Sequence, residues 1–196
     1  MTKQLFQEHI QRSNSMIDIT MTNLYRIVDL ISLFKKLAVD QELDEVVPID
    51  VKKFVDDIID TLKPGFKHKM LKVVNEVDGQ LKINSYPGAI AQIIGNIIKN
   101  SDRHGFESKP VGEIRIRADK FGHRLHLTLS DNGQGMPEEA VEKIFDPFYS
   151  YHRETQGTGL GMNIVHTIVL QKLLGEIHCA SIEGQGTRID IDFPVK

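Results

Sequence analysis

Asp131-Asn-Gly-Gln-Gly-Met136 closes a run, Arg124-Leu-His-Leu-Thr-Leu-Ser130, in which polar and apolar residues alternate. That period belongs to a half-covered strand. A carboxylate at a strand's end can accept a hydrogen bond from an exocyclic amine. Glycines one residue apart let the backbone approach a flat ring or a phosphate. The same Asp-x-Gly-x-Gly pattern also makes an ordinary turn. Taken alone, the stretch leaves both readings open.

Upstream, Glu113-Ile-Arg-Ile-Arg-Ala118 pairs with 124–129 as a hairpin, with Phe121-Gly122 near its tip. Alternation in both arms implies one face under helices and one wet face. His123 and His126 then belong to the strand surface. Before the hairpin, Tyr86-Pro87-Gly88 starts a helix over 88–103. Ile90, Ile93, Ile94, Ile97 and Ile98 share its core face, while Asn96, Asn100 and His104 form a second, polar row. Asparagine is a poor interior helix residue, because its side chain competes for backbone hydrogen bonds. The row is either a solvated face or a set of ligands aimed into a cleft. A carboxamide oxygen suits Mg²⁺, which keeps several waters and leans on substrate phosphates.

Downstream, 137–144 is a short helix opened by Pro137. Phe145-Asp-Pro-Phe148 and a polar run over 149–156 follow. Gly157-Thr-Gly-Leu-Gly161 then feeds a helix over 160–174. Glycines before a helix N-terminus suit phosphates, since N–H groups and the helix dipole face the anion. A flexible lid without a ligand has the same composition. Strands at 176–182 and 187–193, joined through Glu183-Gly-Gln-Gly-Thr187, end the chain.

Nearer the start, 46–49 is a short edge strand. Asp50 caps a helix over 51–62 that stops before Pro64-Gly65. Residues 71–77 and 81–83 are expected to pair as strands around Asp78-Gly79. Residues 5–40 read as one long helix with an apolar stripe through Leu24, Ile27, Val28, Ile31 and Phe34, widened by Leu30, Leu33 and Leu37. It is either the edge helix of a small domain or one arm of a dimeric four-helix bundle. The acidic stretch 38–48 is a linker, with a boundary near Leu43 that divides the chain into 1–43 and 44–196.

The composition is that of a globular protein: 196 residues, 40% apolar and 26% charged. A net charge of -3 gives no reason to expect nucleic acid or a membrane surface as a partner. The single cysteine, Cys179, excludes an internal disulfide framework and sits in a strand as a structural thiol. No apolar run approaches the roughly 20 residues that span a bilayer. The polar N-terminus is not a signal peptide.

The Asn96/Asn100 helix, Asp131-x-Gly-x-Gly135, Phe145-Asp-Pro-Phe148, Gly157-x-Gly-Leu-Gly161 and Gly184-Gln-Gly-Thr187 stand in one order. This set resembles the catalytic, ATP-binding domain of sensor histidine kinases, a branch of the GHKL ATPase superfamily. The likeness covers about 48–196. It implies an α+β fold: a two-layer α/β sandwich, its mixed and mostly antiparallel sheet covered on one face by helices, with the long helix before it. Residues 23–40 resemble the second helix of that family's dimerisation and phosphotransfer domain. The phosphoacceptor histidine normally lies in a His-Glu-x-x-(Thr/Asn)-Pro-like context, and His9-Ile10-Gln11 does not fit it. The chain is therefore expected to be a fragment that cannot phosphorylate itself.

The resemblance also implies roles. Asp131 would accept the adenine amino group, with Thr187 and a water completing the contact. Gly133 and Gly135 would let the backbone near adenine. Asn100 would hold Mg²⁺ between the phosphates, with Asn96 lining the cleft and Lys99 and His104 reaching the triphosphate. Phe145 and Phe148 would anchor the lid, and Arg153 would touch the γ-phosphate. Gly157, Thr158, Gly159, Leu160 and Gly161 would wrap the phosphates. Two departures stand out: Ser150-Tyr-His-Arg153 replaces a Thr-Thr-Lys-like run, and Asp102-Arg103 replaces small or apolar residues. The implied partners are ATP, a second copy through the N-terminal helix, and a response-regulator receiver domain. The implied setting is the cytoplasmic part of a sensor that is often membrane-anchored. Two other readings are a clamp ATPase of the gyrase B, Hsp90 or MutL type, and a regulatory module that binds without catalysis.

Overall fold

The computed structural model describes residues 13, 16–17, 20–21, 24, 45–66, 70–106, 111–151 and 158–196. The described residues before 45 are helical and exposed, and the Thr20 hydroxyl donates to the Met16 carbonyl at 2.8 Å. Most of the expected long helix, its stripe beyond Leu24 and the boundary near Leu43 lie outside the described residues.

The chain then runs β1 (Val47–Asp50), α1 (Val51–Leu62), β2 (Leu71–Asn75), β3 (Lys82–Ser85), α2 (Pro87–Asn100), β4 (Gly112–Phe121) and β5 (Arg124–Asp131). It continues through α3 (Glu138–Lys143), α4 (Gly161–Thr167), β6 (Glu176–Ile182) and β7 (Gly186–Pro194). Asp50 caps α1 as expected, its carboxylate accepting from the Lys53 N–H at 3.1 Å. Pro87 occupies the first turn of α2, where its missing N–H costs nothing.

Five strands form the main sheet in the order β2-β4-β5-β7-β6. Only β2–β4 is parallel; the other pairs are antiparallel. The mixed, mostly antiparallel sheet matches the expected fold class. Alternation decides its faces. Ile114, Ile116, Leu125, Leu127, Leu129, Ile189, Ile191 and Phe193 are buried with α2's Ile90, Ile93, Ile94, Ile97 and Ile98 and with Val55, Val165 and Val169. Each such side chain contributes about 1.5–3 kcal/mol by leaving water. The opposite face carries ion pairs. Glu76 meets Arg115 at 2.6 Å and also Arg117, while Arg188 and Thr128 both reach Asp190 at 2.8 Å.

One expected pairing does not form. Residues 71–77 and 81–83 do not make a hairpin: β2 runs parallel to β4, and β3 pairs antiparallel with β1 in a separate two-stranded sheet. Asn75 is the reason. Its Nδ2 donates to the Lys52 carbonyl at 2.9 Å and to Asp56 at 2.8 Å, and its Oδ1 accepts from the Val77 N–H. The end of β2 is thus fastened to α1. The turn closed by Leu81 N–H to Asp78 O then sends β3 towards β1.

Helix α2 also departs from a regular continuation to Arg103. After Asn100 it widens into a π-type turn over Ser101–Gly105. Such turns insert a residue into the helical register and often mark functional sites. Here it buries Ser101 and Asp102. The helix α4 widens likewise over Ile168–Lys172.

Candidate functional site

A cavity of about 340 Å³ opens between α2 with its wide turn, the end of β5, and the segment leading into α4. Asn96, Lys99, Asn100 and His104 line one wall, and Asp131, Gly135 and Thr187 line another. Thr158, Gly159, Leu160 and Gly161 approach from a third side, with Tyr149, Ser150 and Tyr151 at the start of the expected lid. Eleven of the sequence-predicted site residues, Asn96, Lys99, Asn100, His104, Asp131, Gly135, Thr158, Gly159, Leu160, Gly161 and Thr187, thus line one space. Arg153 and Gly157 lie outside the described residues.

Asp131 is held firmly. Its Oδ1 accepts from the Gly133 N–H at 2.9 Å and the Thr187 N–H at 3.2 Å, and its Oδ2 accepts from the Ser101 hydroxyl at 2.7 Å. The β5–β7 pairing makes this possible, because Asp131 stands opposite Thr187. The two glycines of the stretch serve the backbone path. A side chain on Gly133 would fall 2.6 Å from the Gly105 carbonyl oxygen and 2.7 Å from Asp131 Oδ1. Gly133 is buried beneath the carboxylate, outside the cavity lining. Gly135 has a φ of 66°, and a Cβ there would meet the Ile182 carbonyl oxygen at 2.0 Å.

On the other wall, Asn96 Nδ2 is buried and has no hydrogen-bond partner among the described residues. A buried, unpaired donor costs about 1–3 kcal/mol, which an acceptor in the cavity would relieve. Gly161 stands close by: a Cβ on it would lie 3.9 Å from Asn96 Oδ1. The described residues include no cluster of three or more His, Cys, Asp or Glu side chains able to cage a metal. A lone carboxamide oxygen at Asn100 fits a hard cation whose remaining ligands are water and phosphate oxygens.

Phe145 and Phe148 are not in the lining. Phe145 stacks on His166 with ring centroids 5.2 Å apart, and its carbonyl accepts from Asn163 Nδ2 at 2.9 Å. Both partners belong to α4, so the Phe145–Phe148 run is tied to the helix behind the glycine segment. Phe148 is exposed with a φ of 65°. Cys179 faces inward on β6, half-buried; burial, with the Asp131 charge, pushes its thiol up to about 12.

Three residues of the site escaped the sequence reading. Arg103 lines the cavity beside His104. Ser101 continues the isoleucine face of α2, four residues after Ile97, so a hydroxyl on an apolar stripe was its signal. Ser181 follows Ile177 and Cys179 on the inward face of β6, again a hydroxyl at a core-facing position. Its Oγ accepts from the Met136 N–H at 2.9 Å, donates to the Gly186 carbonyl at 2.9 Å and lies 3.0 Å from Thr187 Oγ1.

Residues 85–196 match the family model described as histidine kinase-, DNA gyrase B- and HSP90-like ATPase. The sensor protein kinase WalK of Staphylococcus epidermidis is 31% identical, over 92% of this chain and 30% of that protein. The chain thus spans about 30% of the length of this curated relative. Among solved structures, the catalytic domain of histidine kinase ThkA superposes with a TM-score of 0.65 at 22% identity, covering 76% of this chain and 95% of that one. Full-length ShkA in complex with AMPPNP gives a TM-score of 0.66 at 22% identity, over 76% of this chain and 31% of that one. Both show the same fold.

Proposed function

The chain belongs to the family of histidine kinase-, DNA gyrase B- and HSP90-like ATPases, and on that premise we propose that it is the ATP-binding module of a two-component sensor kinase. Its task is to present the γ-phosphate of Mg·ATP to a histidine of a dimerisation helix, for relay to a response-regulator aspartate. The observation that carries this reading is that Asp131 and Asn100 both line one cavity. The 31% identity to a sensor protein kinase favours the kinase branch over a clamp ATPase.

Each wall has a task. Asp131, fixed by three donors, keeps one acceptor position on Oδ2 for the amino group of adenine. Asn100 offers its oxygen to Mg²⁺, and the unpaired Asn96 Nδ2 offers a proton to a phosphate oxygen. When bound, the metal neutralises phosphate charge and orients the transferred group. Lys99, Arg103 and His104 add cationic or proton-donating groups on the phosphate side. The segment Thr158–Gly161 brings backbone N–H groups to the same end. Phe145 and Phe148 anchor a lid that continues through Arg153 and Gly157. Catalysis is then positioning and electrostatic stabilisation, with the nucleophile supplied by the acceptor histidine.

The eight histidines of this chain include none followed by glutamate. The module therefore accepts no phosphoryl group itself. It works as the cytoplasmic part of a dimer joined through its N-terminal helix. Among the described residues, no helix is long and apolar enough to cross a membrane. Incubation with γ-labelled ATP and Mg²⁺ tests the reading. Saturable nucleotide binding without acid-labile protein label is the expected result. Acid-labile, alkali-stable label on a histidine of this chain overturns the acceptor assignment, and absence of binding at millimolar ATP overturns the function.

A further inference from the structure

We propose that a second cavity, next to the nucleotide cavity and sharing two cations with it, binds a small monocarboxylate with an apolar body, and that its occupant weakens ATP binding. This cavity measures about 290 Å³. Ligand pockets run to roughly 300–1,000 Å³, so it suits a small metabolite. Thr61 and Leu62 at the end of α1, with Gly65 and Phe66 just after it, line one side. Lys99, Asp102 and Arg103, from the end of α2 and its wide turn, line the other.

The lining fixes the chemistry of the occupant. Leu62 and Phe66 are half-buried against the main core and offer apolar surface. Lys99 and Arg103 are exposed. A guanidinium and an ammonium four residues apart suit one carboxylate. Asp102 is 5% exposed and already engaged in an interaction of its own. The three charged side chains sum to +1, which a single anionic group balances. The Thr61 hydroxyl gives its proton to the Asp57 carbonyl at 2.8 Å, so it adds no donor here.

The coupling follows from the shared wall. Lys99 and Arg103 line both cavities, whereas Asp102 lines only the second. A carboxylate that draws the two cations to its own side removes them from the triphosphate. Linkage makes the effect mutual: ATP must weaken the carboxylate by the same factor. The coupling rests on the ATP-binding reading; the cavity and its charge do not.

The test titrates the full chain with phenylacetate by calorimetry, with thermal unfolding as a check on folding. Saturable binding is expected, with phenylacetamide and phenethylamine at least about tenfold weaker, the worth of a charged contact. Saturating phenylacetate should lower ATP affinity by at least about fivefold. Gly65→Leu places a side chain in the second cavity, and a Cβ on Gly65 meets nothing within 4 Å. It should abolish phenylacetate binding and keep ATP affinity. Thr61→Phe, at an exposed helix position, should act alike. Phenylacetate binding that survives in both folded variants places the ligand elsewhere and overturns the proposal. Equal affinity for phenylacetamide overturns the anion assignment. An unchanged ATP affinity at saturation overturns the coupling. A wild type that binds phenylacetate but no ATP keeps the second cavity and overturns the nucleotide reading, and the coupling with it.

Discussion

Gly159 lies against the backbone of Phe148. A Cβ on Gly159 would come 2.5 Å from the Phe148 carbonyl carbon, and both residues hold positive φ, 69° and 65°. The glycine segment and the end of the Phe145–Phe148 run are therefore fitted to each other. Gly159→Ala should strain its own backbone and push Phe148 away. A loss of more than about 1 kcal/mol is expected, together with weaker nucleotide binding. Gly184 is the control: its φ is 79°, but a Cβ there would meet nothing within 4 Å. Gly184→Ala should cost about 1 kcal/mol in urea unfolding and leave nucleotide affinity as it was. Equal affinity losses in the two variants would contradict this fit between Gly159 and Phe148.

Cys179 should be a silent thiol. Burial and the nearby Asp131 charge raise it from 9.0 to about 12, so little thiolate exists at neutral pH. At pH 8 the folded protein should react with a disulfide reagent at least about a hundredfold more slowly than the urea-unfolded chain. Equal rates would refute the assignment. The linkage has a definite sign. The folded state favours the protonated thiol, so this group's contribution is present below pH 9.0 and declines as pH rises above it.

Asp190 acts at the opposite end of the pH scale. Partial burial raises its carboxyl, but hydrogen bonds from Arg188 and Thr128, with the Arg188 and His126 charges, outweigh that and hold it below its ordinary 3.8. A depressed folded value stabilises above 3.8 and is lost as pH falls through the folded value. Asp190→Asn should therefore be less stable than wild type at pH 6, and the difference should shrink towards pH 2. A difference that persists undiminished in acid would assign its role to packing.

Much of this architecture was legible because period and burial coincide. The alternation in β4, β5 and β7 and the isoleucine face of α2 each identify their own partner surface. The pairing of β2 was not legible. A short apolar run on either side of Asp78-Gly79 suits a hairpin locally, and only the Asn75 contacts to α1 break it. Those contacts lie 19 and 23 residues away in sequence, beyond any local pattern. In the site, Asp131 and Asn100 were marked by residue type and spacing. Ser101 and Ser181 were not, because a serine declares its role only when its proton's destination is known. The widened turn after Asn100 was hidden too, since the sequence continues the helical composition through it.

The central claim is that Asp131 holds the base while Asn100 holds the metal, both from the lining of one cavity. Calorimetry with a non-hydrolysable ATP analogue, with and without Mg²⁺, tests it directly on wild type, Asp131→Asn and Asn100→Ala. Asp131→Asn should weaken binding by about 10- to 100-fold in both conditions, the cost of losing a charged acceptor. Asn100→Ala should abolish the gain from Mg²⁺ and leave metal-free affinity near wild type. Wild-type affinity in folded Asp131→Asn, or an intact Mg²⁺ gain in Asn100→Ala, would contradict it.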